Sequence, residues 1–143
     1  MGSQSIPFSA STSEMDGRVY RERSYTGLAR LDEDGLVLEF REDITEVAGP
    51  SLAQRREGIR EVRIPVSDIR SIDASRGVLR HPVVDIELAR LGPAEAVPWA
   101  TGTRIRLTLP WKERARGRAL GTDHRLLQAD ARLRELGEGD LAG

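Results

Sequence analysis

The chain has 143 residues, which is long enough for one domain with a single hydrophobic core. It contains no cysteine, which excludes disulfides, thiolate metal sites and thiol catalysis and fits a reducing compartment. The 22 basic and 23 acidic residues give a formal net charge of −1, so no overall field favours nucleic acid or anionic lipid.

Apolar residues occur only in short runs. No uninterrupted apolar run is longer than Leu36-Val37-Leu38. A transmembrane helix and the centre of a secretory signal both need much longer runs. We therefore expect a cytoplasmic protein without a transmembrane segment.

The first 23 residues are predicted to form a flexible tail. Ser and Thr are frequent up to position 17, and only a few residues there, such as Ile6 and Phe8, are suited to burial. The folded domain is accordingly expected over residues 24–137, with a second short tail over residues 138–143.

Six strands are expected between residues 25 and 110. The first two flank the acidic loop Asp32-Glu33-Asp34-Gly35, and period-two alternation places Leu36, Leu38 and Phe40 on one face of the second strand. The predicted strands are Tyr25–Asp32, Leu36–Asp43, Ile59–Val66, Ile69–Asp73, Gly77–Leu91 and Thr103–Pro110.

Two connections in this region are predicted to be loops. One begins at Gly49-Pro50-Ser51 and continues into a solvated charged stretch, Gln54–Glu57. The other is Gly92–Gly102, which contains two prolines.

Near the C-terminus the apolar period changes to that of a helix. Five residues follow helical spacing: Leu126, Leu127, Asp130, Leu133 and Leu136. Thr122 is predicted to cap this helix and Gly137 to end it. Gly117 and Gly121 leave residues 112–120 open between a first helical turn, a loop and a seventh strand.

The order of these elements resembles that of a bacterial pleckstrin-homology-like (PH-like) domain. The resemblance covers roughly residues 24–137 and depends on the stretch Ile64-Pro65-Val66-Ser67-Asp68-Ile69-Arg70-Ser71-Ile72-Asp73, followed by Arg76-Gly77, between strands and one closing helix. It implies a bent antiparallel barrel or sandwich of about seven strands with the helix plugging one open end. The predicted fold class is all-β with one C-terminal α-helix.

The resemblance also bears on ligands. Lipid-binding members hold phosphoinositide head groups with basic residues around the first hairpin loop. Here the acidic loop, residues 32–35, would repel a phosphate. We therefore expect the fold without phosphoinositide binding. Because PH-like domains are usually binding modules, the resemblance also favours a non-catalytic role.

The sequence contains no recognisable catalytic or metal motif. A nucleophile elbow, a phosphate-cradling glycine loop and a dinucleotide fingerprint are all absent. His81 and His124 are the only imidazoles and lack zinc-site spacing, and the acidic loop lacks the further ligands of an EF-hand. We expect no catalytic residue, no metal and no cofactor.

One group of basic residues could bind a ligand. We call it the arginine cluster, and its members are Arg104, Arg106, Trp111, Lys112, Arg114, Arg116 and Arg118. Phosphate contacts and stacking on the indole would suit an anion or single-stranded nucleic acid. Against this, Glu113 interrupts the run, and cross-strand pairing with Asp85 and Glu87 explains Arg104 and Arg106 more simply.

The sequence therefore favours a non-catalytic interaction module. We expect it to bind a protein or peptide partner, or a second copy of itself, along a sheet edge or in the groove beside the final helix. The alternative is an anion or single-stranded nucleic-acid binder that uses the arginine cluster. The near-neutral composition argues against the nucleic-acid alternative.

Overall fold

A computed structural model describes residues 5–76 and 81–142 of the chain. It contains a seven-stranded antiparallel sheet and one long C-terminal helix, which confirms the predicted fold class. The strands are β1 (Ile6–Asp16), β2 (Val19–Leu31), β3 (Gly35–Ala48), β4 (Ser51–Pro65), β5 (Ile69–Arg76), β6 (Pro82–Leu88) and β7 (Arg104–Thr108). The α-helices are α1 (Leu91–Ala94) and α2 (Arg114–Ala142), and 3-10 turns cover Val66–Asp68 and Trp111–Glu113.

The sheet consists of two meanders. Its strand order is β4-β3-β2-β1-β7-β6-β5, so β4 and β5 form the two edges. The meanders join between β1 and β7, where Ser9 pairs with Thr108. Side chains from both meanders, such as Leu38 and Ile86, belong to one buried core, so the sheet bends over itself. None of the helices in the described part of the chain is both long and apolar enough to cross a bilayer.

The first hairpin forms as predicted. Leu36, Leu38 and Phe40 are all buried on one face of β3. In the acidic loop, the Asp32 carboxylate accepts hydrogen bonds from the backbone N–H groups of Asp34 and Gly35, at 2.9 and 3.1 Å. Gly35 has a φ of +151°, which favours glycine.

The predicted N-terminal tail is wrong for residues 6–23. Residues 6–16 form β1, and β2 already begins at Val19. Ile6 and Phe8 point into the core, while Ser9, Ser11 and Ser13 lie on the other face. Most outward positions of β1 hold Ser, so the composition of the segment is typical of a flexible tail. Its alternation of buried and exposed side chains is nevertheless that of a strand. Residues 1–4 of the predicted tail lie outside the described residues.

The predicted solvated stretch Gln54–Glu57 belongs to a strand. β3 ends in a two-residue turn at Gly49-Pro50, and β4 begins immediately at Ser51, eight residues before the predicted strand. Nearly all side chains of β4 are exposed, so no apolar alternation marks its first half. Pairing with β3, and not a local sequence pattern, therefore makes this segment a strand. In the predicted fifth strand, residues 77–80 lie outside the described residues, and β6 begins at Pro82.

The C-terminal helix is longer than predicted at both ends. Residues 112–120, which the sequence left open, form a 3-10 turn and the first part of α2. Thr122 lies inside the helix and does not cap it, and α2 continues past Gly137 through the predicted tail to Ala142. Gly121 lets α2 approach β5 closely, since a Cβ there would lie 2.7 Å from the Ile72 carbonyl oxygen.

The predicted loop 92–102 contains a buried plug. It includes α1, and Ala94, Val97 and Trp99 all belong to the core. The centroid of the Trp99 ring lies 4.8 Å from the ring centroid of Tyr25 and 4.9 Å from that of Phe40. This connection therefore contributes to the core as much as a strand does.

Candidate functional site

The strand half of the arginine cluster is paired with carboxylates. Asp85 lies opposite Arg106 and Glu87 opposite Arg104 in the β6–β7 pairing. Arg106 Nε donates to Asp85 at 2.8 Å, and Arg104 Nε lies 3.5 Å from Glu87. The predicted cross-strand ion pairs are confirmed, and they occupy the two guanidinium groups that face outward on β7.

The other members of the arginine cluster, which lie in the 3-10 turn before α2 and in its first turns, have different surroundings. Arg116 pairs with Glu113 one turn earlier, at 3.3 Å. Arg114 and Arg118 line a small cleft of about 60 Å³ between α2 and the sheet. Trp111 is half exposed and packs on the exposed His81, with 5.8 Å between the ring centroids, while Lys112 is exposed. The basic groups thus have separate local roles.

His124 lies buried between α2 and β5. Burial lowers the pKa of its imidazole below the ordinary value, a backbone hydrogen bond to Ile69 opposes that shift, and the charge of Arg125 adds to it. The ring is therefore neutral near pH 7. Among the described residues no group of three or more His, Asp or Glu side chains is arranged to hold a metal ion.

A buried polar cluster borders the aromatic core. Glu42 is almost fully buried, and its carboxylate accepts a hydrogen bond from Arg60 at 3.0 Å. Arg60 also lies over the Phe40 ring, 5.1 Å from its centroid. Burial and the neighbouring Glu42 raise the pKa of Tyr25, so the phenol stays protonated. Arg23 also lies near Glu42, with 3.8 Å between Arg23 Nε and Glu42 Oε1. Two guanidinium groups therefore balance the charge of this carboxylate, as in a structural ion pair.

Beyond the core, the first meander continues as a sheet with both faces accessible. On its outer face the strand register aligns four apolar residues in one row, which we call the apolar row: Met15, Tyr20, Val47 and Leu52. Three of the four, all except Val47, are exposed. Exposed apolar side chains that lie together on a sheet are typical of an interaction surface. Sequence reasoning missed this row because its members come from four strands and share no local motif.

The apolar row ends at the edge strand β4. Leu52, at the end of the row, and Ile59, further along β4, expose 65% and 68% of their surfaces. Between Ile59 and Leu28 on β2 lies a surface depression of about 310 Å³, over the backbone at Gly27. Among the residues that the structure describes, no strand lies next to the outer backbone edge of β4. Such an edge offers unpaired N–H and C=O groups to an extended chain.

Charged side chains also lie along β4 and form ion pairs. Arg56 pairs with Asp43 at 2.8 Å, Arg55 with Glu57 at 2.9 Å, and Arg63 with Glu61 at 2.6 Å. The pairing of β3 with β4 also shifts register between Arg41 and Asp43, which places an extra residue in β4 near Gly58. Charges and bulges of this kind limit indiscriminate edge pairing.

The chain was compared with known proteins in three ways. No family model matches it, and searches of curated proteins and of solved structures gave no significant match. The PH-like resemblance therefore stays a prediction.

Proposed function

We propose that this protein is a non-catalytic interaction module that binds an extended segment of a protein partner as an additional strand on β4. The observation that carries this proposal is the free edge of β4, a strand of fifteen residues that ends the sheet. Strand addition uses the main-chain hydrogen-bonding groups of such an edge for affinity and adjoining side chains for specificity. The PH-like resemblance and the predicted cytoplasmic location agree with this role.

The side chains beside the edge define the ligand. An added strand would place one side chain next to Leu52, extending the apolar row, and another next to Ile59. On β3 the residues opposite these two are Val47 and Arg41, which are six positions apart. We therefore propose a ligand segment with two apolar residues about six positions apart, since the ligand strand would follow the same spacing.

The alternative role in binding an anion or single-stranded nucleic acid has weaker support. Arg104, Arg106 and Arg116 already pair with carboxylates. A phosphate would have to displace these carboxylates, or bind beside them against their charge. The alternative is therefore tested among the predictions below and is not proposed.

The proposal can be tested with a displayed library of random fifteen-residue peptides selected against the immobilised full chain. We expect enrichment of β-prone sequences with the paired apolar residues. The best peptide is then titrated against the Leu52→Thr, Ile59→Thr double variant, which keeps β-propensity while removing apolar surface. Loss of two apolar contacts should weaken binding at least about tenfold.

A matched control is available on α2. Leu133 exposes 66% of its surface, nearly the same as Leu52, and lies far along the helix. The Leu133→Thr variant should bind the peptide like the original protein. Failure to enrich any peptide would contradict the proposal, and so would an affinity that the double variant leaves unchanged.

A further inference from the structure

The solvent side of α2 carries an ordered stripe of small and apolar residues. The side packed on the domain includes Gly117, Leu120, Gly121 and His124, which are all buried. The opposite side exposes a set that we call the heptad stripe: Ala119, Thr122, Leu126, Ala129, Leu133 and Leu136. Its members alternate three and four residues apart, as do the a and d positions of a coiled coil.

The described part of the domain leaves the heptad stripe exposed. Its three leucines, Leu126, Leu133 and Leu136, expose about two thirds of their surfaces. Every residue from 129 to 137 is exposed, so this part of α2 extends past the sheet. Leucines aligned on the outer side of a helix at this spacing form the seam of a two-stranded coiled coil.

The charged residues beside the heptad stripe indicate which partner helix can pair with it, and whether that helix runs parallel or antiparallel. Arg118, Arg125 and Arg132 occupy the g positions, and Asp123 and Asp130 the e positions. In a parallel pair each g residue meets the e residue five positions later in the other chain.

Arg118 and Arg125 of one copy would therefore meet Asp123 and Asp130 of the second. Asp130 would share its carboxylate with Arg134 of its own helix, 2.9 Å away. In an antiparallel pair, arginine would meet arginine and aspartate would meet aspartate.

We propose that two copies of this chain associate through the heptad stripe of α2 as a parallel two-stranded coiled coil. The packed faces of the two helices point away from the dimer axis, so both domains lie on the outside. The interface is two-fold symmetric and complementary to itself. Because the domain already holds the first half of α2, association requires little new ordering of the chain. The proposal is independent of peptide binding at β4.

The first test is the oligomeric state of the full chain, measured by sedimentation equilibrium over a range of concentrations. A reversible monomer–dimer equilibrium is expected. Leu133→Glu places a charge in both halves of the seam and should raise the dissociation constant at least about 100-fold. Leu52→Glu, a matched control of nearly equal exposure on β4, should leave it unchanged. A monomer at every concentration, or a dimer broken by the β4 variant alone, would overturn the proposal.

Charge reversal tests the pairing itself. Arg125→Asp would bring two aspartates together on each side of the seam and should weaken the dimer about fivefold or more. Asp130→Arg should weaken it similarly, and the double variant should restore the original dissociation constant. If the double variant is no better than the single ones, these residues do not face each other.

Direction can be tested by disulfide trapping, because the chain has no cysteine of its own. Leu136→Cys would place the two thiols across the seam of a parallel dimer. An antiparallel dimer centred on the stripe would separate them by about 25 Å, from the helical rise over seventeen residues. Mild oxidation should therefore give a covalent dimer. A protein that stays dimeric but does not cross-link would contradict the parallel arrangement.

Discussion

The two tryptophans of this chain provide an internal comparison of a buried and an exposed ring. Trp99 is 7% exposed, with ring centroids of Phe8, Tyr25 and Phe40 within 5.5 Å, whereas Trp111 is 52% exposed. Trp99→Ala removes a buried indole and leaves a cavity among aromatic rings, which should cost about 3–5 kcal/mol of unfolding free energy. The indole N–H adds no separate loss, since none of the described residues accepts a hydrogen bond from it.

Trp111→Ala should cost less than about 1 kcal/mol, since the ring contributes one partly exposed contact with His81. Both variants can be compared by urea unfolding followed by far-UV circular dichroism, which does not depend on indole fluorescence. If Trp99→Ala does not fold, Trp99→Phe should fold with an intermediate loss. Equal losses for the two alanine variants would refute the reasoning that the 92–102 connection is a buried plug.

Four further predictions follow from particular sites. Gly35→Ala would force a Cβ onto a β4 carbonyl oxygen and should cost at least about 2 kcal/mol by urea unfolding, whereas Gly49→Ala, at a φ of +58° in open space, should cost about 1 kcal/mol. Because burial depresses the pKa of His124, its contribution to stability should be complete above the ordinary pKa of 6.5 and should decline as the pH falls toward the depressed value. His124→Gln should remove this decline in urea midpoints measured between pH 7.5 and about 5. Single-stranded oligonucleotides should bind no more tightly than about 10⁻⁴–10⁻⁶ M at physiological salt, and sub-micromolar binding abolished by Arg114→Glu with Arg116→Glu would show otherwise. Phosphoinositide vesicles should show no saturable binding, because the acidic loop repels phosphate.

The sequence predicts this fold best where one face of a strand is buried. In β7, and in β3 from Leu38 to Arg41, apolar and polar residues alternate, and the buried positions such as Phe40 and Ile105 agree with that period. Where a strand is exposed on both faces, as in the first half of β4, pairing with a neighbour decides the structure and leaves no local pattern. The start of α2 is a related case, since Gly117 and Gly121 weaken a helix locally but permit its close packing on the sheet.

The two candidate surfaces also differ in how far the sequence alone predicts them. The heptad stripe lies on one helix, and its leucines were visible as helical spacing, although the side of α2 that faces solvent follows only from the packing. The apolar row depends on the register of four strands, so Met15 and Leu52 become neighbours on one row only after folding. Ion pairs such as Arg106 with Asp85 were predictable because both strands alternate clearly.

The most direct test of the proposed function is the amide hydrogen exchange of the full chain with and without the selected peptide. A peptide that adds a strand to β4 should slow exchange within Ser51–Pro65, because amides on the free edge gain hydrogen-bond acceptors. Exchange in α2 should not change. Slower exchange confined to α2 or to the acidic loop, with β4 unaffected, would contradict strand addition at this edge.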